Sequence, residues 1–257
     1  MSELLAHALL AIEVAIVAWF AVLAYRKRML SLSAAGVAFV LGLAIVFSTN
    51  VFWLLLIVSF LAVSAVATRY RYDEKRKRGT AEKREGVRRI RNVLANGLAP
   101  TLVAVAAPTV IVPNFGPEVA NLAFVTAIAV AAADTLASEI GSLSDRVYMI
   151  TTGRPVPPGT DGGVSPLGQA AALAGAGIIA ALGLLFLGVL QPLFFGTGLP
   201  LGWQSLAIPV LIGFLGCQID SVLGAFFELK GLINKEEVNI LAITLGAVVA
   251  LAWGVSA

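Results

Sequence analysis

Eight stretches of this chain stay apolar long enough to cross a bilayer, and the polar residues collect between them. A helix rises about 1.5 Å per residue, so roughly 20 residues traverse about 30 Å of hydrocarbon. By that measure the spans run over residues 3–25, 30–48, 51–68, 92–112, 118–141, 165–190, 204–228 and 237–256. Only Ser48-Thr49-Asn50 separates the second from the third, so one long broken helix is the alternative there; we read two spans. The pattern predicts an all-α, polytopic transmembrane bundle of about eight spans. It forms a single integral membrane domain over 1–257, with 69–91 as a basic loop within it.

Composition agrees: 59% hydrophobic and 13% charged residues, with a mean hydropathy of +0.92, exclude an ordinary soluble domain. The first span has no basic residue before it and no small-residue cleavage pattern after it, so it is expected to stay in the mature chain. All 18 Lys and Arg fall in alternate loops: Arg26 to Arg28, eleven between Arg69 and Arg91, Arg146 with Arg154, and Lys230 with Lys235. The positive-inside rule then puts these loops in the cytoplasm and both termini outside, in the cell membrane. The 69–91 loop interleaves Asp73, Glu74, Glu82 and Glu85 with its cations and has only Tyr70 and Tyr72 as aromatics. That composition suits a solvated loop resting on anionic membrane lipids and offers no stacking platform for nucleic acid. Cys217 has no partner for an internal disulfide and reads as a small buried thiol. His7 reads as interfacial, and Glu13, mid-span, as protonated against a neighbouring helix.

Carboxylates inside spans are costly, so Asp134 and Glu139, in Ala133-Asp-Thr-Leu-Ala-Ser-Glu-Ile-Gly141, mark a site. The orientation puts both near the cytoplasmic end of the fifth span. Asp220-Ser221-Val-Leu-Gly224 repeats the arrangement at the end of the seventh, so three carboxylates are expected to converge on one mouth. Such oxygen ligands suit Mg²⁺, which commonly bridges to substrate phosphates. Arg88, Arg89 and Arg91 run into Asn92 and Asn96, two amides on one helical face that suit a phosphate. In the stretch Thr152 to Ser165 the prolines forbid regular helix, and the glycines permit the positive φ angles that can turn successive N–H groups toward an anion. Ser165 can cap the sixth span, giving a helix N-terminus that favours phosphate. Lys230 to Asn239 adds Asn234 and Asn239 on the same side.

Five blocks now stand in order: Arg91-Asn92-Val-Leu-Ala-Asn96-Gly97; Asp134 to Gly141; Pro158-Gly-Thr160-Asp161-Gly-Gly163-Val-Ser165; Asp220-Ser221-Val-Leu-Gly224-Ala; and Asn234 to Asn239. Together they resemble the DUF92 or TMEM19-type membrane family, which includes the plant phytyl-phosphate kinase. More loosely they resemble CTP-dependent dolichol and phytol kinases. The resemblance covers the chain from about 30 onward, with two departures: Leu136 where the family usually has Trp, and Asp161 where Asn is common.

What the resemblance implies is phosphoryl transfer from a nucleoside triphosphate, CTP above all, to a membrane isoprenoid monophosphate such as phytyl, geranylgeranyl or polyprenyl phosphate, giving the diphosphate. On that reading Asp134, Glu139 and Asp220 hold Mg²⁺, and Arg91 and Arg154 offset transition-state charge. Gly159, Thr160, Asp161, Gly162, Gly163 and Ser165 cradle the triphosphate. Ser138, Ser221, Asn92, Asn96, Asn234 and Asn239 orient phosphate or base. A secondary transporter using Asp134 and Asp220 is the rival, but such sites lie near the midplane of repeated halves, and no internal repeat is evident here. A noncatalytic lipid-binding scaffold would not need the carboxylates and the glycine loop together. The paired motifs of intramembrane aspartyl proteases and the Asp-Gly-x-x-Ala-Arg run of CDP-alcohol phosphotransferases are absent.

Overall fold

The computed structural model describes residues 3–256. Its helices are α1 (Glu3–Arg26), α2 (Leu32–Ser48), α3 (Val51–Arg69), the short α4 (Tyr72–Lys77), α5 (Ile90–Ala106) and α6 (Val112–Phe115), then α7 (Pro117–Gly141), α8 (Pro166–Gly183), α9 (Gln191–Phe195), α10 (Trp203–Leu223) and α11 (Lys235–Ser256). Seven helices or helix pairs among the described residues are long and apolar enough to span; α2 is the eighth apolar helix, at 17 residues. A 17-residue helix rises about 26 Å, at the short end of what a bilayer needs. α2 and α3 are separate helices, because Asn50 leaves the helical path and its side chain accepts from Phe52 N to start α3.

Wider π turns interrupt three spans, at Ala107–Ile111, Leu184–Leu190 and Gly224–Glu228. The first joins α5 to α6, the second α8 to α9, and the third continues α10 toward the next loop. Extra-residue turns of this kind re-aim a helix without ending it and gather at functional sites.

α7 is the axis of the bundle, buried along 94% of its most apolar window and packed by α8, α10, α11, α3 and α5. Its sequence explains this: alanines at 120, 123, 127, 129 and 131–133 leave nothing protruding, so neighbouring backbones close in. At Gly175 of α8 an added Cβ would lie 2.7 Å from the Ala132 carbonyl oxygen. α1, by contrast, lies at the periphery with Trp19 and Val22 exposed, as a lipid-facing helix should be.

The ends of the bundle differ. At one end Asn50 and Trp53 both donate to Gln191 Oε1, at 3.3 and 3.0 Å, tying α3 to α9. At the other end the basic loops meet. Arg69 donates to the Lys27 and Arg28 carbonyls, Leu30 pairs with Arg88, and Arg78 bonds Asp145 at 2.7 Å. A two-stranded ribbon, β1 (Tyr148–Met149) with β2 (Gly163–Val164), pairs Tyr148 with Val164 and Met149 with Gly163. It shapes the glycine loop at this same end.

Candidate functional site

A polar chamber of about 320 Å³ opens at the basic end. Helix periodicity carries Asp134 to its wall from α7, and Asp220 and Ser221 from the last turn of α10. Both carboxyl groups border the same chamber. With its amide oriented so that the nitrogen faces both acceptors, Asn239 of α11 donates to Asp220 Oδ2 at 3.1 Å and to the Lys235 carbonyl at 3.1 Å. Lys235, at the start of α11, lines the same chamber as both aspartates and Glu228.

The glycine loop forms the facing wall, with Gly159 to Ser165 all lining the chamber. Positive φ at Gly159 and Gly162, +83° and +75°, lets the loop turn twice within four residues. At Gly162 a Cβ would sit 2.5 Å from Ala225 Cβ, so this glycine seats the loop against the π turn after α10. Ser165 Oγ accepts from Gly168 N at 3.0 Å and caps α8, whose N-terminus thus borders the chamber.

Glu139 also borders the chamber but is held from another side. It lies five residues beyond Asp134, about 140° around the helix, and so faces another neighbour. There Lys75 Nζ donates to Glu139 Oε2 at 2.6 Å and to the Ala67 and Thr68 carbonyls, and Thr68 Oγ1 donates to Glu139 Oε1 at 2.7 Å. Lys75 is wholly buried. The expected three-carboxylate cluster therefore does not form: Glu139 spends its charge on Lys75, and only Asp134 and Asp220 remain together. Among the described residues no three His, Cys, Asp or Glu side chains group closely enough to hold a metal ion by themselves.

The basic loop has a second role besides its exposed cations. α4 plants Lys75 under it, and Gly79 to Glu82 form part of the chamber wall. Thr80 meets Gly159 of the glycine loop, where a Cβ would lie 3.1 Å from Thr80 Cγ2.

A smaller cleft of about 50 Å³ adjoins the chamber, bordered by Asp134, Ser138, Glu139, Asn92, Asn96 and Asn239 among others. Its cations are Arg88 and Lys235. Burial lowers the Arg88 guanidinium from its ordinary value, while the carboxylates of Glu139, Glu82 and Asp134 oppose the drop; an arginine so placed stays protonated.

Arg91, Arg154 and Asn234 are not brought to the site. Arg91 is exposed on the first turn of α5, while Arg88, just before the helix, is the arginine turned inward. Arg154 lies in the exposed turn after β1, where its carbonyl accepts from Met149 N. Asn234 is a helix cap, exchanging hydrogen bonds with Glu237 at 3.0 and 2.8 Å.

Thr68, Arg88, Lys235, Glu82 and Glu228, at the chamber and cleft walls, and Lys75, which holds Glu139, stood outside the expected site residues, although Arg88 and Lys235 lay in segments the sequence had already singled out. Lys235 carried a signal, since a lysine in the first turn of a helix opposes the helix dipole and such local conflicts mark functional positions. Cys217 is buried at the chamber wall, His7 is exposed, and Glu13 is half-buried without a polar partner among the described residues.

An apolar bundle with a polar chamber at one end, walled by paired aspartates and a glycine loop, defines an integral membrane protein with a membrane-surface site. Residues 15–249 match the integral membrane protein family DUF92, and the chain belongs to that family. It is 32% identical over 213 residues to an uncharacterized membrane protein of Methanocaldococcus jannaschii, covering 82% of this chain and 80% of that one. It is 30% identical over 226 residues to the chloroplastic protein VTE6 of Arabidopsis thaliana, covering 86% of this chain and 64% of VTE6. Protein PGR of the same plant is 34% identical over 219 residues, 80% of this chain and 75% of PGR. No solved structure matches the chain.

Proposed function

We propose that this protein is a nucleoside-triphosphate-dependent kinase that converts a membrane isoprenoid monophosphate to the diphosphate, with its chamber facing the cytoplasm. The observation that carries this reading is the Asp134 and Asp220 pair set opposite the glycine loop and the capped N-terminus of α8. Paired acids face a surface built for phosphate. CTP is the donor suggested by the likeness of the motif blocks.

The donor set fits Mg²⁺, which binds through one or two carboxylates and completes its shell with water and substrate phosphate. Asp134 and Asp220 would hold it, oriented by Asn239 and Lys235. When bound, it supplies neutralisation of the triphosphate's charge. Glu82, Asp161 and Glu228 also border the chamber, so an unescorted polyanion would meet mostly like charge there.

The chain's own task is positioning. Within the loop the Thr160 and Gly163 N–H groups are spent on Pro157 and Thr160 carbonyls, so those of Asp161 and Gly162 would serve the donor phosphates, and Ser138 and Ser221 add hydroxyls at the wall. Arg88 brings positive charge toward the acceptor side. An acceptor phosphate oxygen attacks the γ-phosphorus; the new P–O bond forms as the bond to the β-bridging oxygen breaks, and the nucleoside diphosphate leaves. The acceptor is already ionised, so no strong general base is needed. Transfers of this kind depend on alignment and charge stabilisation.

The test is incubation of purified protein with Mg²⁺, each γ-labelled nucleoside triphosphate and a panel of prenyl monophosphates. Label is expected in a prenyl diphosphate and lost with a chelator. No transfer to any lipid, together with proton-coupled solute uptake in liposomes, would replace the kinase with a transporter.

A further inference from the structure

A second cavity, of about 330 Å³, lies inside the membrane part of the molecule between α1, α2, α3 and α5. Val17, Leu41, Ile45, Leu54 and Leu61 are typical of its walls, which are apolar almost throughout. The exceptions are Arg88, Asn92 and Asn96, and these three also border the small cleft beside Asp134. The apolar groove and the polar chamber are therefore linked by one shared wall.

That wall has unspent hydrogen-bonding capacity. The Arg88 guanidinium lies 5.8 Å from the centre of the Phe60 ring, and its side chain bonds no acceptor among the described residues. Asn96 is buried, with its Oδ1 unpaired, although its Nδ2 donates to the Asn92 carbonyl at 2.9 Å. A buried carbonyl oxygen without a donor is costly, and a cation at the edge of an apolar groove calls for an anion. A phosphate there would satisfy Arg88, and its protonated oxygen or an accompanying water would satisfy Asn96.

Resting on the kinase reading above, we propose that this groove is the acceptor site. It holds the two isoprene units nearest the phosphate of a prenyl monophosphate, with Arg88, Asn92 and Asn96 at the phosphate. The length follows from the walls: the groove follows α3 from Leu54 to Ala62, about 12 Å at the helix rise, and an isoprene unit extends about 5 Å from ordinary bond lengths. Units beyond the second leave the groove for the surrounding lipid. Because the chain is apolar in either place, the groove acts by shape and alignment more than by hydrophobic transfer.

Prenyl monophosphates carrying a photoreactive diazirine on the second or on the fourth isoprene unit, irradiated with the protein in nanodiscs without nucleotide, test this. The second-unit probe is expected to label groove residues of α2 and α3, and the fourth-unit probe not to. Ala38→Trp, which fills the groove, should cut that labelling at least tenfold and raise KM for the lipid about tenfold with KM for the nucleotide unchanged. Ala21→Trp, on the α1 wall, serves the same purpose if the first variant fails to fold. Labelling outside the groove, insensitivity to both tryptophans, or equal competition by phosphatidic acid would overturn the assignment. Groove labelling without any phosphoryl transfer would leave the acceptor site standing and remove the kinase. Transfer that proceeds unchanged in both tryptophan variants would do the reverse.

Discussion

Lys75 and Glu139 show how the same residue types take different roles within a few ångströms. Glu139 has a buried ammonium at 2.6 Å and a hydroxyl at 2.7 Å, so its charge is already balanced. Asp134 makes no ion pair with a lysine among the described residues and lines the chamber with Asp220 and Lys235. We predict that Lys75→Met or Glu139→Leu alone destabilises the protein by about 3–5 kcal/mol, because each removes one partner of a buried ion pair. Lys75→Met combined with Glu139→Leu should recover most of the loss. Thermal unfolding in detergent, read as a double-mutant cycle, checks this; additive single effects would mean that the pair is not coupled. The sequence exposed Asp134, Glu139 and Asp220 because charge in an apolar run is conspicuous. It could not tell them apart, since Lys75 is one of eleven cations in its loop and nothing local marks it as the one turned inward.

At the scale of elements, the glycine loop and the turn after α10 act as a fitted pair. Gly162 meets Ala225 so closely that any side chain must push the loop away. Gly162→Val should therefore lower transfer at least tenfold while the helical signal and thermal midpoint stay close to wild type. An unchanged rate would detach the loop from the site. The spans themselves were legible from length and hydropathy, and Asn50 was a readable start for α3. The π turns were not, because an extra residue in a helical turn leaves the apolar pattern almost unaltered. Nor was the wall built by Gly79 to Glu82, which depends on how a polar loop folds back rather than on any periodicity. Arg91 and Asn234 were misplaced for a related reason: residue type marked the right segments, but the register at a helix start decides which side chain faces in.

For the molecule as a whole, the structure gathers the basic loops, the chamber and the cleft at one end, and the Asn50, Trp53 and Gln191 cluster at the other. The positive-inside rule assigns the basic end to the cytoplasm. Single cysteines at Asn114 and Thr197, in a variant lacking Cys217, should react with an impermeant thiol reagent only from outside. A cysteine at Asp73 should react only from within. Labelling at 114 or 197 from the cytoplasm alone would reverse the orientation. On the proposed reading, a cytoplasmic chamber would give the nucleotide access from water and the groove between α1, α2, α3 and α5 would receive the lipid, so that the two reactants would meet at Arg88 and Asp134.

The central claim is that Asp134 and Asp220 together serve phosphoryl transfer. The most direct measurement is the Mg²⁺-dependent rate of prenyl diphosphate formation by wild type, Asp134→Asn and Asp220→Asn, each purified as a folded protein. The account predicts that either substitution lowers the rate at least a hundredfold with the thermal midpoint preserved. A rate within threefold of wild type in either variant would contradict it.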